Sequence, residues 1–268
     1  MKYVLVTGAA GGLGKAVVNS LAEKDFFVFA TDINEVVFDA KNVKFLKADI
    51  TSNESINELF RKIKKHTDSL FGIINLAGIF FLDSFVEGEE EKLRKIIEIN
   101  FFGVFKINRM FFEMLKPNYS KIINVTSEVS RYTSQPFNGF YTLSKQMVDT
   151  YTHALRRELN YLGIKVVKVE PGSFKTKMLN VADSEFSNLV DKTRYYKKNL
   201  LKLKKLMDNE LKKENDPKFF GKLILKILNK KNNKINYRIC NSYKLMLLGI
   251  LPDKIQDVLL KRIIKWGV

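Results

Sequence analysis

The chain has 268 residues, 46% of them hydrophobic, and its 46 Lys and Arg against 29 Asp and Glu give a formal net charge of +17. A chain of this size buries a sizeable core, and we predict one domain over residues 1–268. The single cysteine, Cys240, excludes an intramolecular disulfide and has no neighbouring metal ligand, so we expect no metal. No apolar run approaches the ~20 residues that span a bilayer, and the first predicted strand begins at Lys2 without a secretory signal. We therefore expect a cytoplasmic protein.

The basic surplus is concentrated in the last part of the chain. Residues 194–268 carry 20 Lys and Arg against 6 Asp and Glu, a net of +14, which leaves +3 for residues 1–193. Lysine dominates this segment without interleaved arginine and aromatic residues or a recognisable binding module, so we expect no nucleic-acid partner.

Apolar runs alternate with helix-period stretches along most of the chain. Strands are predicted at residues 3–6, 26–30, 43–46, 70–76, 121–125 and 164–169, with an edge strand at 235–240. Helices are predicted at residues 12–23, across 56–63, at 90–115, at 139–162 and after Pro217. This alternation predicts an α/β fold, a doubly wound parallel sheet of Rossmann-like type.

Two segments stand apart from this alternation. Residues 177–215 are polar and lysine-rich, and we predict an inserted lid segment of amphipathic helices there. Residues 243–268 form a C-terminal amphipathic extension in which one predicted helix face is apolar (Ile255, Val258, Leu259, Ile263, Trp266) and another is polar (Gln256, Asp257, Lys261, Arg262, Lys265). Such a helix either packs over the substrate pocket or a second subunit, or lies on an anionic membrane surface as a peripheral contact.

The first turn is rich in glycine. Gly8, Gly12 and Gly14 follow the first strand, and they allow the backbone and the following helix N-terminus to approach a pyrophosphate; the alternative is a tight strand-to-helix turn. Asp32 ends the second strand, where a carboxylate accepts hydrogen bonds from an adenosine ribose and repels a 2′-phosphate, which favours NAD over NADP. The alternative role for Asp32 is a helix cap.

Tyr141 and Lys145 lie one helical turn apart. An ammonium on the same helix face favours the ionised form of a phenol, so we predict that Lys145 lowers the pKa of Tyr141. Tyr141 is then a plausible acid and base at neutral pH.

The TGxxxGxG pattern at residues 7–14 and the YxxxK pattern at 141–145 resemble those of the short-chain dehydrogenase/reductase family, over nearly the whole chain. The resemblance implies an NAD(P)-dependent oxidoreductase acting on CH–OH groups. It implies four catalytic residues, namely Asn100, Ser127, Tyr141 and Lys145. It implies a set of cofactor-binding residues, namely Gly8, Gly12, Leu13, Gly14, Asp32, Asp49, Ile50, Asn75, Ala77, Gly78, Tyr141, Lys145, Pro171, Gly172 and Thr176.

Several family positions carry specific expectations. Asn100 interrupts the long helix and holds a water that leads to Lys145. Ser127 donates a hydrogen bond to a substrate carbonyl, but it lies one residue further from Tyr141 than is common, which leaves Ser130 as the alternative. Leu76 replaces the second asparagine of the family's Asn-Asn-Ala-Gly stretch, where we expect a scaffold role.

The residues at the expected pocket positions are apolar, which predicts an apolar, lipid-like alcohol or ketone as substrate; the same residues also suit a core. They are Phe80, Phe81, Pro136, Phe137, Phe140, Met178, Leu179 and Phe186. Two other functions stay open: a non-catalytic NAD-binding regulator and an epimerase or dehydratase that retains its nicotinamide. The resemblance also implies a homodimer or homotetramer paired through helices 90–115 and 139–162.

Overall fold

The computed structural model describes residues 1–211 and 215–266. Its seven strands form a single parallel sheet in the order β3-β2-β1-β4-β5-β6-β7. They are β1 Lys2–Thr7, β2 Phe26–Asp32, β3 Val43–Lys47, β4 Gly72–Asn75, β5 Lys121–Val125, β6 Lys165–Pro171 and β7 Asn236–Ile239. The predicted doubly wound parallel sheet is confirmed, including its edge strand.

Helices cover both faces of the sheet. They are α1 Gly12–Ala22, α2 Asn53–Lys64, α3 Glu90–Ile97, α4 Gly103–Met110, α5 Gly139–Asn160, α6 Lys177–Lys192, α7 Lys197–Leu211, α8 Pro217–Asn229, α9 Tyr243–Leu248 and α10 Asp253–Trp266. One core lies between the sheet and α1 with α8, and a second between the sheet and α2, α4 and α5. In the part of the chain that is described, no helix combines the length and apolarity needed to cross a membrane.

The strand order reverses at β1, which lies between β2 and β4. The connections from β1 and from β4 therefore leave in opposite directions, which opens a crevice beyond the carboxyl ends of these two strands. The glycine turn after β1 and the stretch after β4 meet in this crevice.

The continuous helix predicted at residues 90–115 is divided into several pieces. A π-helical turn, Glu98–Phe102, separates α3 from α4, and a short 3₁₀ turn, Phe112–Met114, follows α4. Asn100 lies in the π turn and is fully buried, because its side chain bonds to the backbone of Ile79 instead of facing solvent. The interruption at Asn100 implied by the family resemblance is therefore present, and π turns are common at functional sites.

The lid segment contains α6 and α7, in agreement with the predicted amphipathic helices, while residues 212–214 lie outside the described part. In α10 the exposure of the side chains does not follow the division into an apolar and a polar face. Gln256 is buried, whereas Ile255 and Val258 are each almost half exposed. The side chains at 263–266 and residues 267–268 lie outside the description.

Candidate active site

The glycine turn is packed too closely for side chains. Gly8 has a φ of +70°, and a Cβ there would lie 2.6 Å from the Ala77 nitrogen. A Cβ at Gly14 would overlap the Gly8 carbonyl oxygen, and one at Gly12 would lie 2.6 Å from Thr176 Cγ2. The turn after β1 thus touches both the stretch after β4 and the segment after β6.

The N-terminus of α1 has free hydrogen-bonding capacity. Its N-cap, Gly11, makes no side-chain capping bond, and the first helical turn contains no acidic residue. The first amides of such a helix have no partner within the helix, so they can bind an anion, and the helix dipole favours negative charge there. Leu13, on this first turn, is half-buried and packs on the first core.

Asp32 is bound to the same glycine turn. Its carboxylate accepts hydrogen bonds from the Ala10 amide at 3.0 Å and the Asn34 amide at 2.9 Å. No helix begins at this point of the described chain, because β3 is the next element, so the helix-cap alternative is wrong. The carboxylate remains half-buried beside the turn, where it meets an adenosine ribose in this type of fold.

Asp49 and Ile50 occupy the loop after β3. The Asp49 carboxylate accepts hydrogen bonds from the Thr51 amide at 2.8 Å and the Thr51 hydroxyl at 2.7 Å. Ile50 is buried against Gly103 at the start of α4. These contacts fix the loop, and neither residue contacts the glycine turn in the bonds described.

Asn75 is the centre of a buried amide network. Its Nδ2 donates to Asn108 Oδ1 and to Asn124 Oδ1, both at 2.8 Å, and Asn124 Nδ2 donates to Thr152 Oγ1 at 3.0 Å. The network ties β4 and β5 to α4 and α5. The neighbouring Leu76 packs on the first core, which agrees with the scaffold role predicted for this stretch.

Asn100 links the stretch after β4 to the helix that carries the tyrosine. Its Oδ1 accepts from the Ile79 amide at 2.8 Å, and its Nδ2 donates to the Ile79 carbonyl at 3.0 Å and to Ser144 Oγ at 2.9 Å. A Cβ at Gly78 would lie 3.1 Å from Asn100 Oδ1 and 3.4 Å from Lys145 Nζ. Asn100 and Lys145 therefore flank the same glycine, beside the crevice.

Ser127, Tyr141 and Lys145 converge at the carboxyl end of β5. Lys145 Nζ lies 5.8 Å from the centre of the Tyr141 ring and donates to the Val125 carbonyl at 3.3 Å. The Ser127 hydroxyl lies close enough to the Tyr141 phenol to lower its pKa. The Ser130 hydroxyl donates instead to the Ser127 carbonyl at 2.7 Å, so Ser127 is the serine that faces the tyrosine.

The electrostatics of this pair differ from the prediction. Burial raises the pKa of Tyr141 to about 12; the hydrogen bond from Ser127 lowers this pKa, and the nearby Glu128 carboxylate raises it further. Burial also lowers the pKa of Lys145 to about 8. The predicted lowering of the phenol's pKa by the ammonium is wrong here, because loss of hydration disfavours both charged forms.

The segment after β6 closes the crevice from the far side. Pro171 ends β6, and Gly172 packs so closely on Cys240 that a Cβ would overlap the Cys240 carbonyl oxygen. Thr176 precedes α6 and contacts Gly12, as noted above. Of the three predicted residues of this segment, Thr176 contacts the glycine turn, while Gly172 packs beside β7.

Aromatic residues form a wall between the tyrosine and the lid segment. The Phe80 ring lies 4.9 Å from the Tyr141 ring and also belongs to the cluster formed by Phe137 and Phe186. Phe137 has a φ of +65°, which is strained for a bulky residue and typical of functional loops. Among the other predicted pocket residues, Phe140 is buried, Phe81 and Leu179 are half-buried, and Pro136 and Met178 are exposed.

The lid segment is held down by polar contacts that the sequence did not reveal. Glu87 accepts hydrogen bonds from the Thr193 hydroxyl at 2.6 Å and the Arg194 amide at 2.7 Å, between α6 and α7. Lys92 pairs with Glu185 of α6 at 3.7 Å. These contacts hold α6 and the residues after it against α3 and the loop that precedes α3.

Two further features were missed. Ser144 supports Asn100, and only its place inside the tyrosine-to-lysine turn signals it. Lys168 is buried with ion pairs to Asp149 and, at 2.8 Å, to Glu170. The sequence signal for this buried ion pair was the placement of two charges, Lys168 and Glu170, at alternate positions of the apolar strand β6. In residues 1–211 and 215–266 no cluster of His, Cys, Asp and Glu is arranged to hold a metal ion.

These residues fit a dinucleotide. The glycine turn leaves room that any Cβ would fill, the α1 N-terminus presents amides without a side-chain cap, and Asp32 stands at the ribose end. Tyr141 and Lys145 stand at the other end, beyond β4 and β5. Gly8, Gly12, Gly14 and Asp32 would hold such a dinucleotide, whose nicotinamide would supply hydride chemistry.

The chain is similar to known reductases. The chain is 31% identical over 255 residues to a 3-amino-tetrahydro-pyrrolizinone reductase from Xenorhabdus hominickii, covering 91% of this chain and 88% of that protein. It is 32% identical over 182 residues to an NADPH-dependent 1-acyldihydroxyacetone phosphate reductase from Schizosaccharomyces pombe, covering 66% of this chain and 61% of that protein.

A solved structure of a short-chain dehydrogenase from Streptomyces avermitilis superposes with a TM-score of 0.78 at 20% identity, covering 97% of this chain and 95% of that one, and it shows the shared fold. The family description "short chain dehydrogenase" matches residues 2–186. Since that match covers well over half of the sequence, the chain belongs to the short-chain dehydrogenase family, whose members are oxidoreductases that bind NAD(P).

Proposed function

We propose that this protein is a cytoplasmic NAD(H)-dependent oxidoreductase that interconverts an apolar, lipid-like alcohol and its ketone, with Tyr141 as acid and base. The observation that carries the proposal is the convergence of Ser127, Tyr141 and Lys145 beside Gly78, in the crevice that the glycine turn opens. A bound nicotinamide supplies or accepts the hydride.

The protein's own residues then handle the oxygen and the proton. In reduction, the Ser127 hydroxyl donates a hydrogen bond to the substrate carbonyl, and Tyr141 gives its proton to the oxygen as negative charge develops there. The phenol is protonated at neutral pH, which is the form that reduction requires. Lys145, with its lowered pKa, is the group best placed to return a proton to Tyr141 and to bind the nicotinamide ribose.

Two features support a lipid-like substrate. The wall beside Tyr141 is aromatic, with Phe80 in ring contact, and the lid segment adds Phe186 and Leu189 to the same apolar cluster. The relative from Schizosaccharomyces pombe is named for a ketone that carries an acyl chain. That relative is NADPH-dependent, whereas the Asp32 carboxylate of this chain favours NAD.

An aromatic surface supports a homodimer or homotetramer. The Tyr151 ring of α5 makes edge-to-face contacts with Phe105 of α4 and with Phe101 of the π turn. On the same side, Phe102 of the π turn is 40% exposed and Leu143 of α5 is 38% exposed. A surface of this kind is typical of contacts between subunits. We expect light scattering to give a mass of two or four chains.

The deciding experiment measures NADH oxidation with a panel of lipid-like and small ketones, with NADPH in parallel. Tyr141→Phe should bind NADH normally and lower kcat by about 10² to 10⁴, whereas Tyr161→Phe, at a tyrosine that is 90% exposed, should leave kcat unchanged. Equal turnover by Tyr141→Phe removes this residue from the mechanism. Cofactor binding without turnover of any ketone favours a regulator, and nicotinamide retained through purification favours an epimerase or dehydratase.

A further inference from the structure

The last two helices expose apolar side chains in a helical pattern. On α9 and just beyond it, Tyr243, Met246, Leu247 and Ile250 are 58%, 42%, 57% and 73% exposed. Met246 and Leu247 lie three and four residues after Tyr243, so these three share one face of α9, and Ile250 lies three residues after Leu247, just beyond the helix. No residue of α9 is buried.

In α10 one polar residue is buried and two apolar residues are exposed, while Leu259 and Leu260 are half-buried. Gln256 is 4% exposed, and its Nε2 donates to the Leu251 carbonyl at 2.8 Å. The adjacent Ile255 and the nearby Val258 are 47% and 46% exposed. We call Tyr243, Met246, Leu247, Ile250, Ile255 and Val258 the C-terminal apolar surface.

The same stretch is basic. Between residues 243 and 262 the exposed charged side chains are four basic ones (Lys244, Lys254, Lys261, Arg262) and two acidic ones (Asp253, Asp257). The whole chain carries a net charge of +17. Apolar residues flanked by lysine and arginine match the interface of an anionic bilayer, in which acyl chains lie beneath negative head groups.

The inner side of this stretch rests on the active-site loop. The Ser242 amide donates to the Glu128 carboxylate at 2.6 Å, and the Thr133 hydroxyl donates to Asp253 at 3.2 Å. A Cβ at Gly249 would overlap the Tyr132 ring. The residues directly after Ser127 therefore lie against the stretch that carries the C-terminal apolar surface.

We propose that the C-terminal apolar surface docks on an anionic membrane surface. An isologous contact between two copies would bring the same excess of positive charge together, whereas anionic lipid neutralises it. Docked in this way, the enzyme holds the loop after Ser127 close to the bilayer, where a lipid-like substrate resides. That last consequence rests on the proposed function, whereas the docking itself does not.

The test is co-sedimentation of the full chain with two kinds of vesicle, pure phosphatidylcholine and phosphatidylcholine mixed with phosphatidylserine. We expect binding to the anionic vesicles, little binding to the neutral ones, and a loss of binding as salt is raised. The double variant Leu247→Ser/Ile250→Ser should abolish binding. Val37→Ser, at a residue that is 86% exposed elsewhere, is the matched control and should bind like the natural chain.

Neutralising two basic residues tests the electrostatic part of the binding. Lys261→Gln/Arg262→Gln should weaken binding about fivefold per charge removed, whereas Lys62→Gln/Lys64→Gln on α2 should change it much less. The proposal is overturned if the natural chain does not bind anionic vesicles, or if Leu247→Ser/Ile250→Ser binds them as well as Val37→Ser does. A fall in the mass measured by light scattering for Leu247→Ser/Ile250→Ser, with vesicle binding unchanged, assigns the surface to a second copy instead. Because sedimentation needs neither cofactor nor substrate, its outcome is independent of the proposed reaction.

Discussion

Replacing Asn100 by alanine separates its structural role, through buried hydrogen bonds, from a role in holding a water that leads to Lys145. In the structure its amide makes three hydrogen bonds, two to the backbone of Ile79 and one to Ser144, at full burial. A buried backbone group that loses its partner costs about 1–3 kcal/mol, and an ordinary hydrogen bond contributes about 1 kcal/mol. Allowing for a water that enters the space and recovers part of the loss, we expect Asn100→Ala to lower the free energy of unfolding by about 3 kcal/mol.

Urea unfolding followed by circular dichroism measures this change, and Ser144→Ala is the matched control. That variant removes one of the three Asn100 bonds and also the bond that Ser144 Oγ donates to the Tyr141 carbonyl at 2.8 Å, so we expect a loss of about 2 kcal/mol. The double variant should show a coupling energy of about 1 kcal/mol between the two sites. If Asn100→Ala unfolds within about 0.5 kcal/mol of the natural chain, a typical surface effect, while kcat still falls, Asn100 acts through a water and our structural reasoning is refuted.

Three further predictions follow from the site and its surroundings. Because Lys145 has a pKa of about 8 and Tyr141 one of about 12, the ammonium is lost as pH rises through 8 while the phenol stays protonated. The rate of ketone reduction should therefore fall above pH 8, and a flat profile up to pH 10 would contradict this role of Lys145. Gly14→Ala should weaken NADH binding, measured by fluorescence titration, at least about tenfold, since its methyl group overlaps the backbone of the preceding turn; unchanged affinity would show that the turn adapts. Lys168→Met leaves Glu170 buried without its nearest cation, so we expect a loss of about 3–5 kcal/mol in thermal or urea unfolding, and a loss below 1 kcal/mol would mean that neighbouring arginines replace it.

Much of the fold was predictable because local patterns and tertiary structure agree. The strands of a doubly wound sheet are buried on both faces, so they read as apolar runs such as that of β1, and glycine and proline mark their ends. The glycine turn and the Tyr141–Lys145 pair are set by local geometry, one by close backbone approach and the other by helical spacing. Those parts of the site therefore follow from short stretches of sequence.

The rest depends on contacts between distant residues. The break in the predicted helix at Asn100 arises from bonds to Ile79, and the raised pKa of Tyr141 arises from burial by residues across the crevice. The periodicity of α10 placed Gln256 on the polar face, and the structure buries this residue, with its amide donating to the Leu251 carbonyl. A helical pattern shows which residues share a face, but it does not show which face meets the protein.

The contact between Gly12 and Thr176 has a kinetic consequence. Gly12 begins α1, and Thr176 directly precedes α6, with its Cγ2 2.6 Å from where a Cβ on Gly12 would stand. A dinucleotide bound at the glycines would therefore lie next to the residue that precedes α6. We expect compulsory-order kinetics, with the dinucleotide first to arrive and last to leave.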